Sequence, residues 1–221
     1  IQSDRIEIYY NYAIQAITKG YAYVCTCSSE RFKLLVDKGQ PCPCRSNTPE
    51  DNLKKWNNMF TTYQPGEAVL RIKTDLKHRN PAVREWPAFR VNDSEHPRQG
   101  KKYRVWPLMN FSTTVDDHDL GITHVIRGKD HLVNTERQKF MYKYFKWALP
   151  EFYHLARINF INLKISTSQF RKGIEDGTYE GWDDVRLPTL LALKRRGILP
   201  GALRKFVLET GMSKRDKTVA Y

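Results

Sequence analysis

The sequence lacks an apolar run long enough to cross a lipid bilayer, and its first residues show no signal-peptide pattern. We therefore expect a soluble, cytoplasmic chain. Acidic residues are also in short supply, since 24 Asp and Glu stand against 37 Lys and Arg and leave a formal net charge of +13. A surplus of this size favours a polyanionic partner, either nucleic acid or an anionic membrane surface. The hydrophobic content of 40%, with 12% aromatic residues, excludes a disordered chain.

Cysteine is scarce, and all its copies lie in one short segment. Cys25, Cys27, Cys42 and Cys44 form two C-x-C pairs separated by fourteen residues. Two such pairs of thiolates can close a tetrahedral zinc site, whereas disulfides are disfavoured in a reducing compartment. The pattern predicts a structural zinc ion, because four protein ligands leave no position open for a substrate. A degenerated or empty site is the alternative.

Residues 115–147 are the stretch around which the rest of the chain is arranged. They are predicted to form an acidic loop, a short buried strand at residues 122–126, a polar turn and a helix. Thr135, with Gln138 three residues later, is a capping-box pairing and places the start of that helix at Thr135. In open α/β sheets, ligands bind beyond the carboxyl ends of strands. The turn at residues 127–131 is therefore a candidate site for a small charged ligand, with a solvated loop as the alternative.

Apolar periodicity and turn residues predict the other elements. Before residue 115 they are helices at 4–19 and from 49, and strands at 21–24, 69–73, 89–91 and 103–106. After residue 147 they are a strand at 156–161, a polar turn at 163–169, and helices at 188–196 and 200–210. Arg71 and Lys73 are expected on the solvent side of their strand. Leu203, Phe206 and Val207 are expected to be buried by the last helix.

Four stretches, in order, resemble the archaeal-type and eukaryotic glutamyl- and glutaminyl-tRNA synthetases. They are SDRIEIYYNYAIQAITKGYAYV (3–24), TDLKHRNPAVREWPAFRV (74–91), HVIRGKDHLVNTERQ (124–138) and GWDDVRLPTLLALKRRGILPGALRKFV (181–207). This resemblance covers nearly the whole chain and implies an α/β fold. The implied domains are a helix from the first half of a class I Rossmann-type catalytic domain (1–23), an inserted mixed α/β acceptor-stem-binding domain (24–107), the second half of the Rossmann domain (108–161), and a KMSKS-like loop with a C-terminal helical stem-contact subdomain (162–221).

The family carries two signature motifs. A HIGH-type tetrapeptide is missing from the sequence, so we expect the carboxyl-side part of a catalytic domain, with little or no activity alone. KISTS at residues 164–168 resembles the second signature, KMSKS, which holds the ATP phosphates. The resemblance assigns ATP binding to Lys164, Ile165, Ser166, Thr167 and Ser168, and catalysis to Lys164, Ser166 and Ser168. Thr167 replaces the second lysine of the motif, so Lys164 or a lysine or arginine at 171–172 would have to supply its charge.

The resemblance also implies sites for the amino acid and for tRNA. The family's pocket arginine, which pairs with a carboxylate of glutamate, matches Arg127 and favours glutamate over glutamine. The pocket Tyr of the family matches Met109, and an Asn of some members matches Thr113. These differences leave open how the side chain of the amino-acid substrate is recognised. Residues matching the element beside the acceptor stem are Asp183, Asp184, Arg186, Arg195 and Arg196. For the two acids, helix capping is the alternative.

The resemblance implies an enzyme that activates glutamate with ATP to glutamyl-adenylate and transfers it to the 3′ end of tRNA. Its small-molecule requirements are ATP, Mg²⁺ and the structural Zn²⁺, and its partners are glutamate, ATP and the tRNA acceptor stem, with no membrane. Two alternatives are a glutaminyl-tRNA synthetase and a non-catalytic tRNA-binding paralogue.

Overall fold

The computed structural model describes residues 1–161 and 165–219. The chain divides into two compact units. The first consists of Ile1–Val125 and Asp130–Phe152, and the second of Ile126–Lys129 and Tyr153–Tyr221. Both helices and strands are present, which confirms the mixed α/β class. Within the described ranges, no helix combines the length and apolar character that a membrane crossing requires.

The helices of the first unit are α1 (Ile6–Thr18), α2 (Ser29–Asp37), α3 (Pro49–Thr61), α4 (Met109–Asp119) and α5 (Leu132–Phe145). Its strands are β1 (Ala22–Cys25), β2 (Val69–Ile72), β3 (Pro87–Val91) and β4 (Val105–Pro107). Strands β5 (His124–Gly128) and β6 (Glu151–Leu155) form a separate two-stranded sheet. The elements of the second unit are β7 (Ile158–Phe160), α6 (Thr167–Glu175), α7 (Leu190–Arg195), α8 (Pro200–Thr210) and β8 (Lys217–Val219).

Strands β1 to β4 form an antiparallel sheet in sequence order. Val24 pairs with Leu70, Leu70 with Phe89, and Phe89 with Pro107. In the second unit, β7 and β8 pair in parallel, with Ile158 opposite Lys217. Parallel pairing requires a long crossover between the strands, and here the segment that contains α6, α7 and α8 provides it.

Strand β1 is at the edge of its sheet, yet all four of its residues are buried. Successive side chains of a strand point to opposite faces. Ala22 and Val24 pack into the main core of the first unit, whereas Tyr23 and Cys25 pack into a second cluster that contains the cysteines. The strand therefore separates the main core from the cysteine cluster.

Helix α1 follows the predicted apolar periodicity. Ile6, Tyr9, Ala13 and Ile17 are almost fully buried in the main core, while Ile14 is 41% exposed. The helix ends where expected, because Gly20 has φ +72°, a left-handed conformation that glycine adopts without a steric penalty. The start of α3 is confirmed as well, since the Thr48 side chain accepts a hydrogen bond from the Asp51 N–H group as the N-cap.

Three expectations for residues 115–147 are wrong. The acidic segment is not a loop, because residues 115–119 form the last part of α4. The strand runs from His124 to Gly128, and Ile126 is 59% exposed. Helix α5 begins at Leu132, and Thr135 is a buried helical residue whose hydroxyl donates to the His131 carbonyl. Tertiary packing has overridden the local capping signal.

Other expectations also need correction. Arg71 and Lys73 are partly buried, and the Arg71 guanidinium lies 3.3 Å from the centre of the Phe32 ring. The turn at 163–169 is helical from Thr167 onward, and residues 162–164 lie outside the described residues. Residues 156–157 separate β6 from β7, where one strand was expected. The bounds of α8 are as predicted, but the three residues expected to be buried are not, since Leu203 and Phe206 are only partly buried and Val207 is 57% exposed.

Candidate metal centre and ligand-binding residues

The four cysteines come together in the first unit. Cys25 lies at the end of β1, Cys27 follows it, and Cys44 lies in a short 3₁₀ helix formed by Pro43–Ser46, directly after Cys42. All four Sγ atoms lie within 4.8 Å of one another. The shortest separations, both 3.8 Å, join Cys25 to Cys42 and Cys27 to Cys44. The two C-x-C pairs thus face each other, as their spacing predicts.

These distances fit a tetrahedral metal ion. With metal–sulfur bonds of about 2.3 Å, tetrahedral geometry places neighbouring sulfur atoms about 3.8 Å apart. Three of the cysteines are buried and Cys27 is partly exposed. No disulfide joins them, although all four are close together. The side chains can therefore hold a metal ion with four thiolates and no open position.

Because the four thiols lie close together, their pKa values shift in different directions. The hydrogen bond that Cys25 shares with Cys42 raises the pKa of Cys25 and lowers that of Cys42 to about 5, and burial further raises the pKa of Cys25. The Cys27 thiol has a raised pKa because of burial and the neighbouring Cys44. A divalent cation favours the thiolate form of all four.

The candidate ligand turn consists of the end of β5 and a 3₁₀ helix at Lys129–His131. Arg127 is partly buried near the carboxyl end of β5. In the same unit, Lys129 Nζ donates a hydrogen bond to Asp216 Oδ2 at 2.6 Å. Lys129 is thus engaged with a carboxylate of the chain itself. Arg127 is the guanidinium that this strand end offers for binding a carboxylate.

Met109 and Thr113 lie in α4 in the first unit, whereas Arg127 belongs to the second. Met109 and Thr113 are four residues apart, which puts both side chains on one face of α4. Met109 is 44% exposed, and Thr113 is partly buried. One helix therefore positions both residues.

The described part of the KISTS segment forms the amino-terminal end of α6. Ser166 is the N-cap and accepts a hydrogen bond from the Gln169 N–H group at 3.4 Å, and its hydroxyl lies 3.2 Å from that of Ser168. Ile165 is 53% exposed. Lys164 lies outside the described residues. Unpaired N–H groups at a helix start, aided by two hydroxyls, can bind an anion such as phosphate.

The acids and arginines near α7 form ion pairs within the second unit. Asp184 is 3% exposed, and its carboxylate accepts hydrogen bonds from Arg186 Nε at 2.9 Å and Nη2 at 2.6 Å. These bonds hold the pKa of Asp184 well below its usual range. Arg195 lies 3.5 Å from Asp183 Oδ2, and Arg196 is the C-cap of α7.

The alternative role considered for Asp183 and Asp184, helix capping, is wrong. Thr189 is the N-cap of α7, and its side chain accepts from the Ala192 N–H group. Asp184 instead closes the turn at residues 180–186, because it also accepts a hydrogen bond from the Glu180 N–H group at 3.0 Å. Its carboxylate therefore sets the direction of the Arg186 side chain.

A buried carboxylate near the cysteines was not predicted. Glu85 is 1% exposed and accepts a hydrogen bond from Arg45, the residue after Cys44. Both residues lie in predicted loops, where acidic and basic side chains are usually solvated. The one available signal was that Glu85 falls within the TDLKHRNPAVREW part of the resemblance.

Comparison with known proteins gives a family match over the whole chain. The family model described as "tRNA synthetases class I (E and Q), catalytic domain" matches residues 1–221. The chain is 54% identical over 220 residues to the glutamate–tRNA ligase of Methanosphaera stadtmanae, covering 100% of this chain and 39% of that protein. It is 52% identical over 221 residues to the Pyrococcus horikoshii ligase, covering 99% and 39% respectively. The chain thus spans about two-fifths of the length of the curated relatives it matches.

Solved structures of two bacterial proteins are similar at lower identity. A glutamate–tRNA ligase from Elizabethkingia meningosepticum, in complex with its amino acid, has 24% identity and a TM-score of 0.45, covering 80% of this chain and 37% of that one. A glutamate–tRNA synthetase from Elizabethkingia anophelis has the same identity and TM-score, with coverages of 80% and 38%.

Proposed function

Because this chain belongs to the class I tRNA synthetases for glutamate and glutamine, as part of their catalytic domain, we propose that the protein that carries it is a glutamate–tRNA ligase. The observation that carries the proposal is the identity of 52% or more, over almost the entire chain, to ligases that act with glutamate. The enzyme joins glutamate to AMP with release of pyrophosphate, and then transfers the glutamyl group to the 3′ end of tRNA. Mg²⁺ offsets the phosphate charge of ATP.

In this proposal Arg127 selects the amino acid. A guanidinium binds a carboxylate through two parallel hydrogen bonds, which a glutamine amide cannot reproduce. Arg127 is partly buried near the carboxyl end of β5, so its guanidinium is held by a strand and not by a loop. The resemblance also assigns Met109 and Thr113, on one face of α4, to the recognition of the amino acid.

The amino-terminal end of α6 binds the ATP phosphates. Ser166, Thr167 and Ser168 supply hydroxyls there, and the N–H groups of the first helical turn point toward an anion. Lys164 supplies the positive charge, and Ile165, the second residue of the motif, completes the segment. These groups stabilise the negative charge that develops as pyrophosphate leaves. Catalysis depends on positioning and electrostatics, without a protein nucleophile.

We assign the four domains of the resemblance to residues 1–23, 24–107, 108–161 and 162–221. The second is the inserted acceptor-stem-binding domain, and the last contains the stem-contact helices. Arg186 and Arg195, each oriented by a carboxylate of the same unit, contact the tRNA backbone together with Arg196. Asp183 and Asp184 contribute by fixing the arginine side chains.

The cysteine cluster holds a structural Zn²⁺. Four thiolates with no open position are typical of zinc sites that stabilise a fold. The ion would tie the end of β1 to the segment before α3, two parts of the chain otherwise separated by α2. Its role is in folding, so no catalytic step depends on it.

Pyrophosphate exchange in the full-length protein tests the proposal. The assay is run with tRNA present, once with glutamate and once with glutamine. Exchange with glutamate alone supports the ligase and the assignment of Arg127. Exchange with glutamine would make the protein a glutaminyl-tRNA synthetase, and steeply salt-dependent tRNA binding without exchange would make it a non-catalytic paralogue.

A further inference from the structure

A buried charged network lies beside the cysteine cluster. Glu85 accepts hydrogen bonds from Arg45 Nε at 3.3 Å and from the Thr74 N–H group at 2.8 Å. Arg45 follows Cys44 directly and also donates from Nη2 to the Thr74 carbonyl at 3.3 Å. The buried carboxylate is thus linked to the segment that carries two of the four cysteines.

Glu85 and Thr74 also close the loop between them. The Glu85 N–H group donates to Thr74 Oγ1 at 2.6 Å, and that hydroxyl donates to the Val83 carbonyl at 3.1 Å. Together with the bond from the Thr74 N–H group to the Glu85 carboxylate, these contacts join the two ends of residues 74–85. The loop is therefore anchored at its base to the same carboxylate that binds Arg45.

The loop contacts the segment between the two cysteine pairs at further points. Arg84 Nη1 donates to the Val36 carbonyl at 2.9 Å, and Arg84 Nε donates to the His78 carbonyl at 2.7 Å. At Gly39, which has φ +67°, a side chain would lie 3.1 Å from the Leu76 carbonyl oxygen. The two segments are packed backbone against backbone, so displacement of one displaces the other.

The backbone of Glu85 is strained. Its φ of +47° lies in the left-handed region, which is uncommon for a residue other than glycine. Such conformations persist only where the surroundings impose them, and they cluster at functional sites. A glycine would relieve the strain but would remove the carboxylate, so the side chain is the part of Glu85 that this position needs.

The charges around Glu85 match those of a metal-loaded cluster. A Zn²⁺ ion with four thiolates carries two net negative charges, and Glu85 adds a third. Three cations lie near Glu85, and one of them, Arg71, also acts electrostatically on the Cys25 thiol. Arg45 bonds to Glu85, Arg71 Nη1 donates to the Glu85 carbonyl at 3.1 Å, and Lys73 interacts electrostatically with Arg45 and Glu85. Buried charges need such compensation, because their removal from water is costly.

We propose that Glu85 is a positioning residue of the metal centre, which holds Arg45 and with it the segment that carries Cys42 and Cys44, and which couples metal binding to the folding of residues 74–85. The inference rests on the zinc ion of the proposed function. Residues around metal ligands orient them and tune their affinity, and their replacement commonly weakens binding by about 10- to 100-fold. The loop supplies no ligand itself, yet its conformation depends on the metal.

Zinc affinity measured by competition with a chromogenic chelator tests the first part, in the full-length protein. Glu85→Gln keeps the shape of the side chain and removes its charge, so zinc affinity should fall by about 10- to 100-fold. Glu95→Gln, at an exposed glutamate of the same unit, is the control and should match the wild type. Equal affinity of the Glu85→Gln protein and the control would overturn the proposal.

The Arg45→Gln variant distinguishes the loss of the Glu85–Arg45 contact from general misfolding of the protein. Arg45 is 32% exposed, so the variant should fold, which circular dichroism checks. If Glu85 acts through Arg45, the single and double variants lose zinc affinity to a similar extent, because they break one shared contact. Losses that add fully in the double variant would show that Glu85 does not act through Arg45.

Limited trypsin digestion tests the coupling to the loop. Lys77 and Arg79 are exposed, while the Lys77 N–H group donates to Asp75 Oδ1 and the carbonyl of His78, which lies between them, accepts from Arg84 Nε. We expect the zinc-loaded wild type to resist cleavage there, the chelated protein to be cut, and Glu85→Gln to be cut even with zinc. Equal cleavage with and without zinc would overturn the coupling. A full-length protein that binds no zinc would overturn both the metal centre and this inference, while leaving the ligase to be decided by pyrophosphate exchange.

Discussion

Arg5, which immediately precedes α1, donates a hydrogen bond from Nε to Asp116 Oδ1 in α4 at 2.8 Å. Its Nη2 atom donates to Asp119 at the same distance, and the Tyr9 hydroxyl lies 2.8 Å from both oxygens of Asp116. Asp116 and Asp119 belong to the VDDHD segment (residues 115–119) of α4. They therefore join α4 to the start of α1, more than one hundred residues earlier in the sequence. Their role in the described structure is to stabilise the packing of α1 and α4.

Replacing Asp116 should destabilise the first unit. The Asp116→Asn substitution removes the negative charge and one of the two acceptor oxygens. The amide therefore cannot accept hydrogen bonds from both Arg5 and Tyr9 as the carboxylate does. We expect the free energy of unfolding to fall by about 1–3 kcal/mol, the cost of leaving buried partners of a charged hydrogen bond unsatisfied. Urea unfolding measures the change, with Asp37→Asn at an exposed position of α2 as the control. Equal stability of the two variants would show that the pair contributes little.

Arg127 should control the affinity for glutamate. In Arg127→Gln the charge-assisted pairing with the substrate carboxylate is lost, which we expect to cost about 1.5–3 kcal/mol in total. The KM for glutamate in pyrophosphate exchange should therefore rise by about 10- to 100-fold. Arg31→Gln, at an exposed position of α2, is the control. Unchanged kinetics with glutamate in the Arg127→Gln enzyme would remove this residue from the pocket.

Ser166 should matter for the use of ATP. Ser166→Ala removes the N-cap of α6, which costs about 0.5–2 kcal/mol of helix stability, and it removes a hydroxyl from the proposed phosphate site. We expect the rate of pyrophosphate exchange at saturating glutamate to fall by about tenfold. Ser166→Thr retains a capping oxygen and should recover most of the rate. If both variants lose the rate equally, the capping oxygen is not what the reaction requires.

Asp184 should make the stability of the second unit sensitive to acid. Hydrogen bonds from Arg186 depress its folded pKa below the unfolded value of about 4. A depressed pKa stabilises the fold above the unfolded pKa, and this stabilisation is lost as pH falls through the folded pKa. Thermal unfolding from pH 6 to the acid limit should show that the wild type loses more stability below about pH 4 than Asp184→Asn does. Parallel pH profiles for the two proteins would contradict this assignment.

Local signals in the sequence predicted several elements well. The spacing of the cysteines indicated a four-thiol cluster, and the structure brings all four Sγ atoms together. The periodicity of α1 identified its buried face, and Pro200 with Gly211 marked the bounds of α8. Each of these features depends on residues close in sequence or on a repeat that one element determines by itself.

Features that depend on distant contacts were missed or misplaced. The VDDHD segment reads as a loop because it is polar, but Arg5 and Tyr9 provide partners that allow it to be helical. Thr135 and Gln138 read as a capping box, but both are buried inside α5. In the first case partners from another part of the chain outweigh the local preference, and in the second the burial of both side chains does.

The sequence by itself determined the family, the pairing of the cysteines and the identity of the groups that we propose bind glutamate and ATP, because motifs and short spacings are properties of the chain. The tertiary structure alone decided that Glu85 is buried beside the cysteine cluster, with Arg45 and Thr74 as its partners. A buried carboxylate is stable only where cations and N–H donors converge on it. These donors come from segments forty and eleven residues away, and only folding places them around one side chain.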